Sequence, residues 1–212
     1  MTDGRIDGCA GALLAGGGGK RLGGLAKGLL TLDGESIAAR TARVLSALFG
    51  EVLLSANDPA PYAALGLRAV PDRLPGRGAP GGLHAVLSAA GAPWVFTAAC
   101  DMPFVSAEGV RALAARRAGA DAVIVRWQGH LQFMHALWSR ACLAPLERLL
   151  AGGDPSLWDV AAAVRVAEVS EAEWAALESR RPRVREREHA GGSRAAGARA
   201  APLTTRSSRP RA

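Results

Sequence analysis

Short aliphatic runs recur along the chain, and most are continuous rather than alternating. Ala10 to Ala15, Glu51 to Ala56, Leu67 to Val70 and Trp94 to Ala99 each read as a strand covered on both faces, the habit of parallel sheets. Segments with helical spacing lie between them. Ser36 is placed to cap a helix running to about Phe49, with Ile37, Thr41, Val44, Leu45 and Leu48 as its inward stripe. Asp33-Gly34 reads as a turn pair, Pro59 to Leu65 as a short helix, Pro71 to Gly82 as a long Pro/Gly-rich loop, and Leu83 to Ala90 as a helix. Ser106 caps a further helix that reaches Arg117. The pattern then changes. Asp121 to Trp127 and Gln132 to Ser139 read as strands joined around Gln128-Gly129-His130, an antiparallel pair at one edge. Helices at Arg140 to Leu150 and Pro155 to Ala163, a strand at Val164 to Val169 and a helix at Ser170 to Ser179 follow. The alternation up to residue 117 predicts an α/β domain on a mostly parallel, doubly wound, Rossmann-like sheet, whose sites gather at the carboxyl ends of strands.

At 212 residues the chain suits one such domain, expected over residues 1–180. Its formal charge is +7, but the charge is unevenly placed. Ten arginines against Glu186 and Glu188 put +8 into residues 180 to 212, which leaves −1 for the first 179. A nucleic-acid partner is therefore not implied by the body of the protein. Cys9, Cys100 and Cys142 are odd in number and lack C-x-x-C spacing, so they read as reduced, mostly buried thiols of a cytoplasmic protein. No apolar run approaches the roughly 18 residues a membrane span needs, and no signal peptide is expected.

The first strand breaks into LAGGGGKRLGGLAKGLL, Leu14 to Leu30. Consecutive glycines let backbone N–H groups turn toward an anion with no Cβ in the way, and Lys20, Arg21 and Lys27 are threaded through the same stretch. The spacing is not a Walker A loop, because Lys20 is followed by Arg21 and position 14 is Leu14. Nor is it a dinucleotide fingerprint, because Arg21 stands where the third glycine belongs. What remains is a triphosphate loop of another type. Leu14, Ala15, Gly16 and Gly17, followed by Arg21, Leu22, Gly23 and Lys27, resemble the L-A-G-G-x-x-x-R-M-G-x-x-K signature of the molybdenum cofactor guanylyltransferases, MobA-like nucleotidyltransferases with a nucleotide-diphospho-sugar transferase fold. One departure, Leu22 for Met, conserves volume, and Lys27 stands one residue later than that spacing gives.

That resemblance implies transfer of GMP from Mg²⁺-bound GTP to a molybdopterin-type cofactor, with release of pyrophosphate. It implies a cytoplasmic monomer, with molybdoenzymes or cofactor-biosynthesis proteins as further partners. Asp101 follows the fourth strand in Cys100-Asp101-Met102-Pro103, similar to the family's C-D-x-P, whose Asp binds Mg²⁺; a carboxylate there would otherwise cap the next turn. Lys27 and Arg21 would hold the triphosphate, Lys27 as a point charge and Arg21 as a planar fork. Asp72, in Val70-Pro71-Asp72-Arg73, matches a position in contact with base or ribose. Asn57 matches a family asparagine near the guanine, although Asn before Asp58-Pro59 is also ordinary turn chemistry. Gly78 to Leu83 resembles the family's G-P-L-A-G-I loop and would bring Gly82 close to the nucleoside, with the proline displaced by one position. Leu-Ala-Gly-Gly rather than Leu-Ala-Ala-Gly points to GTP over the CTP of cytidylyltransferase relatives. His84 and His130 read as structural or exposed. His135 lies in Gln132-Phe133-Met134-His135, where relatives carry a pterin-side segment with Pro after Gln. A cytidylyltransferase or sugar-1-phosphate nucleotidyltransferase of the same fold, or a nucleotide binder with impaired turnover, stay open as alternatives.

The end of the chain departs from the family. Relatives close their domain with F-V-N-V-N-T-P-E-D, whereas Arg183 to Gly191 stand here at a similar distance. Codons allowed for those residues, CGC GTT CGT GAA CGT GAA CAC GCC GGA, read one base on (with G following) as A-F-V-N-V-N-T-P-E. A shifted reading frame before Arg183 is therefore expected. The Arg/Ala/Gly/Pro/Ser composition of residues 181–212 predicts a disordered basic tail.

Overall fold

The computed structural model describes residues 4–15 and 27–178. The chain divides into two compact units, Met1–Arg181 and Pro182–Ala212, and every described residue belongs to the first. The expectations for Gly16, Gly17 and Arg21, and for the tail from residue 181, fall outside the described residues.

Seven strands form the main sheet: β1 (Cys9–Leu14), β4 (Val52–Ser55), β5 (Arg68–Val70), β6 (Trp94–Ala99), β7 (Ala122–Trp127), β8 (His130–Ser139) and β9 (Val166–Val169). Their order is β5-β4-β1-β6-β8-β7-β9. β1 is buried along its whole length, as a central strand covered on both faces must be. It pairs in parallel with β4 on one side and β6 on the other, with Leu14 opposite Ser55 and Ala99. From β1 the chain winds outward through β4 to β5, then returns past β1 to β6. The reversal opens a crevice at the carboxyl ends of β1 and β6, the switch point where ligands of such sheets bind.

The antiparallel component is present, and its position is specific. β8 runs against both β6 and β7, while β9 adds in parallel outside β7, so the hairpin lies one strand in from the edge. Gln128 (φ 49°) and Gly129 (φ 76°) make its tight turn, the left-handed pair that matches strand twist, and β8 therefore starts at His130 rather than Gln132. Asp33 (φ 54°) and Gly34 (φ 79°) do the same for a small separate hairpin of β2 (Thr31–Leu32) and β3 (Glu35–Ser36).

Among the described residues six α-helices cover the sheet: α1 (Ile37–Leu48), α2 (Gly78–Ala89), α3 (Ala107–Ala114), α4 (Leu143–Gly152), α5 (Leu157–Ala162) and α6 (Glu171–Glu178). Ser36 and Ser106 cap α1 and α3 as expected, accepting from Ala39 N at 3.2 Å and Gly109 N at 3.1 Å. α3 stops at Ala114, short of Arg117.

The largest correction concerns Pro71 to Gly82. Its second half is the first turn of α2, which begins at Gly78. Pro80 is tolerated there because first-turn N–H groups lack helical partners anyway. Glycine disfavours a helix by about 1 kcal/mol per residue, but here packing decides. A Cβ on Gly82 would lie 3.0 Å from Ser55 Oγ, so its absence lets the turn sit against the end of β4.

Packing divides into two large cores, one containing Leu83, Val86, Ile124 and Trp138, the other Leu45, Phe96, Leu113 and Val123. A third, smaller cluster of Leu13, Ala38, Leu54, Ala56 and Tyr62 lies by the carboxyl ends of β1 and β4, with Leu29 and Cys100 packed on it.

Candidate active site

The crevice is floored by strand ends and fixed by backbone bonds. Ala15 N donates to Ser55 O at 2.9 Å, joining the exit of β1 to that of β4. Cys100 N donates to Leu14 O at 3.1 Å, joining β6 to β1, and Met102 N turns back to Ala99 O at 3.2 Å. Thr41 of α1, buried, donates its hydroxyl to Met102 O at 2.9 Å. Asp101 thus stands on a backbone held from three directions, with its carboxylate exposed. Among the described residues it has no ion-pair or hydrogen-bond partner.

Lys27 arrives from the other side. It opens a 3-10 turn, Lys27–Leu29, whose middle residue Gly28 is buried against Cys100. Lys27 is exposed and is placed one residue from this contact, as Asp101 is. The structure therefore brings Lys27, Leu14, Ala15 and Asp101 to one edge. Tyr62 lies beneath: it is 5% exposed, in the 3-10 helix Ala60–Leu65, and its hydroxyl donates to Cys100 Sγ at 3.5 Å. Burial pushes the Tyr62 phenol well above its ordinary range, and burial likewise pushes the Cys100 thiol up. Neither group is prepared as a nucleophile. Cys9 and Cys142 are buried and Cys100 half-buried; all three are free thiols, as their spacing implies.

Asn57 and Asp72 meet beside the crevice. Asn57 Nδ2 donates to Asp72 Oδ2 at 2.9 Å, and Asp72 N donates to Asn57 Oδ1 at 2.8 Å. Gly82 adjoins the same pair, since a Cβ there would be 3.9 Å from Asp72 Oδ1. These three residues form a second group at the ends of β4 and β5.

His84 is buried and its Nε2 lies 3.2 Å from Glu147 Oε1, an α2–α4 contact rather than part of the crevice; His130 is exposed at the hairpin. The segment Gln132 to Met134 lies where the β7–β8 register shifts, between Ile124 and Arg126. Phe133 there packs edge-on against Trp158, ring centroids 5.4 Å apart, and Trp158 is 56% exposed. Sequence reasoning passed over Gly28, Tyr62 and the hydroxyl of Thr41. One hint was available: the chain's single tyrosine sits in a loop-flanked segment between two parallel strands.

The donor set suits a hard cation shared with a ligand. No group of three or more His, Cys, Asp or Glu side chains able to hold a metal exists among the described residues. One exposed carboxylate at the strand ends would leave the other positions of such a cation to ligand oxygens and water, the habit of Mg²⁺.

A mostly parallel sheet with a lysine and a carboxylate at its switch point defines an α/β enzyme that handles nucleotides. Residues 11–169 match the MobA-like NTP transferase domain, and the chain belongs to that family of nucleotidyltransferases. A "Probable molybdenum cofactor guanylyltransferase" of Pelotomaculum thermopropionicum is 36% identical over 167 residues, 79% of this chain and 81% of that one. A "Molybdenum cofactor guanylyltransferase" of Pseudomonas putida is 37% identical over 154 residues, 70% and 80% of the two chains. The fold is that of the molybdopterin-guanine dinucleotide biosynthesis protein A of Archaeoglobus fulgidus, with a TM-score of 0.66 at 24% identity over 80% of this chain and 87% of that one.

Proposed function

We propose that this enzyme transfers GMP from GTP to the terminal phosphate of a molybdopterin-type cofactor. The acceptor's phosphate oxygen bonds to the α-phosphorus, the bond from that phosphorus to the bridging oxygen breaks, and pyrophosphate leaves. The observation that carries the reading is the contact of Gly28 with Cys100, which sets the turn opened by Lys27 against the segment that bears Asp101. Relatives described as guanylyltransferases, similar over most of their length, supply the substrates of the reading.

Asp101 would hold Mg²⁺, which when bound neutralises charge on the reacting phosphate and the departing pyrophosphate. Lys27 and Arg21 hold the phosphates. Leu14, Ala15, Gly16 and Gly17 present backbone to the nucleotide, and Asn57, Asp72 and Gly82 contact base and ribose. Orientation is the larger part of the work, because phosphoryl chemistry asks the protein mainly for aim and charge. The anchoring of Asp101 by Leu14, Ala99 and Thr41 supports such a role.

Asp101→Asn tests it. Loss of several kcal/mol of charge stabilisation corresponds to a fall of about 10³-fold or more in pyrophosphate release from GTP and acceptor. A variant within tenfold of the parent ends the assignment of Asp101. A thermal-shift panel tests the base: protection by CTP and not GTP would replace guanylyl with cytidylyl transfer.

The tail from about Arg181 belongs to the same proposal. A frame shift ahead of Arg183 would have replaced the family's closing N-x-N-T-P segment, and the coding DNA decides it: codons for Arg183 to Gly191 that cannot yield that segment one base on dispose of the idea.

A further inference from the structure

We infer that Gly28 is a positioning residue for the phosphate-holding lysine, working through a seat that Cys100 and Tyr62 complete; the inference rests on the nucleotide reading above. Gly28 has no left-handed φ, so its backbone conformation is open to any residue. Contact alone demands glycine here. A Cβ at position 28 would stand 2.8 Å from Cys100 Cβ, 3.0 Å from Cys100 O and 3.0 Å from Cys100 Sγ. Real Cβ atoms do not approach so closely, and two of the three obstacles cannot swing away, because one is backbone and one is fixed to it.

The direction of the yielding is set by the anchors. The Cys100–Met102 backbone is tied to Leu14 O, Ala99 O and the Thr41 hydroxyl, and the thiol is met from below by the Tyr62 hydroxyl at 3.5 Å. Lys27, by contrast, is exposed and opens a turn of only three residues. A methyl at position 28 therefore lifts the turn carrying Lys27 and leaves Asp101 in place. Tyr62 acts at longer reach: it rises between β4 and β5 and touches the segment after β6, two strands across from β4, so it holds the floor on which Gly28 rests.

The test is equilibrium binding of GTP with magnesium by calorimetry, in the full chain, across a double-mutant cycle. Gly28→Ala should weaken binding about tenfold, and in a Lys27→Ala background it should change binding by less than about twofold, since coupled residues lose their effect together. Tyr62→Phe, which removes one oxygen and keeps the ring, is the second variant, should Gly28→Ala not fold. It should weaken binding about threefold in the parent and not at all without Lys27. Melting temperatures establish that each variant is folded. Equal losses in both backgrounds, or parent-like binding by the variants, overturn the positioning role while leaving the nucleotide reading intact. A parent protein that binds no nucleoside triphosphate overturns that reading and this inference with it.

Discussion

Asn57 and Asp72 answer each other so closely that neither side chain has an independent orientation. Asn57 offers its amide to the Asp72 carboxylate and receives the Asp72 backbone N–H in return, at 2.9 and 2.8 Å. Both bonds are exposed, so breaking them should cost about 1 kcal/mol of folding stability or less. Under the proposed function the effect on binding should be larger, because the pair would fix where polar atoms face the nucleoside. Asp72→Ala is expected to lower GTP affinity about tenfold, equivalent to about 1.4 kcal/mol, and Asn57→Ala to add little to that loss. Fully additive losses in a binding titration would show two separate contacts and no shared arrangement. The residue-level chemistry was readable in part. Asp101 follows an uninterrupted aliphatic run and Lys27 stands at a fixed distance from the glycines, so both were visible as sequence. The links of Gly28 and Tyr62 to Cys100 were not, because they exist only across 72 and 38 residues of chain, and a glycine among many glycines carries no signal of close contact.

At the scale of elements, one ionic clasp ties the outer strands. Asp121, just before β7, takes hydrogen bonds from Arg165 Nε at 2.9 Å, Arg165 Nη2 at 2.8 Å and Arg165 N at 3.0 Å, just before β9. Those bonds hold the Asp121 carboxyl at about 2, below its ordinary 3.8. A carboxylate with a depressed folded value stabilises the fold above its unfolded value, and that contribution is lost as pH falls from about 4 toward 2. Asp121→Asn should flatten the acid limb of a melting-temperature profile in that window and lower the melting temperature at neutral pH. An unchanged limb would mean the clasp adds nothing. Strands such as β1 and β6 were legible because burial on both faces leaves an unbroken apolar run. The start of α2 was not: Gly78-Ala79-Pro80-Gly81-Gly82 has the composition of a loop, and its helical state follows from contact with Ser55, which no local pattern encodes. The hairpin turn was legible in Gln128-Gly129, whereas the parallel addition of β9 outside it depends on a distant segment.

For the whole molecule the expected readings concern the last residues. Removing 181–212 should leave GTP affinity within about twofold, as none of the residues proposed to hold the nucleotide comes from that segment and basic charge of that kind acts on polyanions without selectivity. Abolished binding would instead make the tail part of the functional unit. A chain carrying the restored frame should transfer GMP faster than this one, measured as pyrophosphate release with the metal-loaded pterin acceptor. Equal rates would remove any role for the family's closing segment. No helix among the described residues is long and apolar enough to cross a membrane.

β8 opposes the direction of its neighbours, with Ala98 facing His135, so it begins on the border where β1, β4 and β6 finish. Two stretches remote in sequence, the one bearing Asp101 and the one from His130 to Met134, thereby share a single shoreline. Insertions at Gln128-Gly129 would reshape only that far bank. Were the acceptor to berth along that bank, as the proposed function has it, a lineage could retune it while its grip on the donor stays as it was.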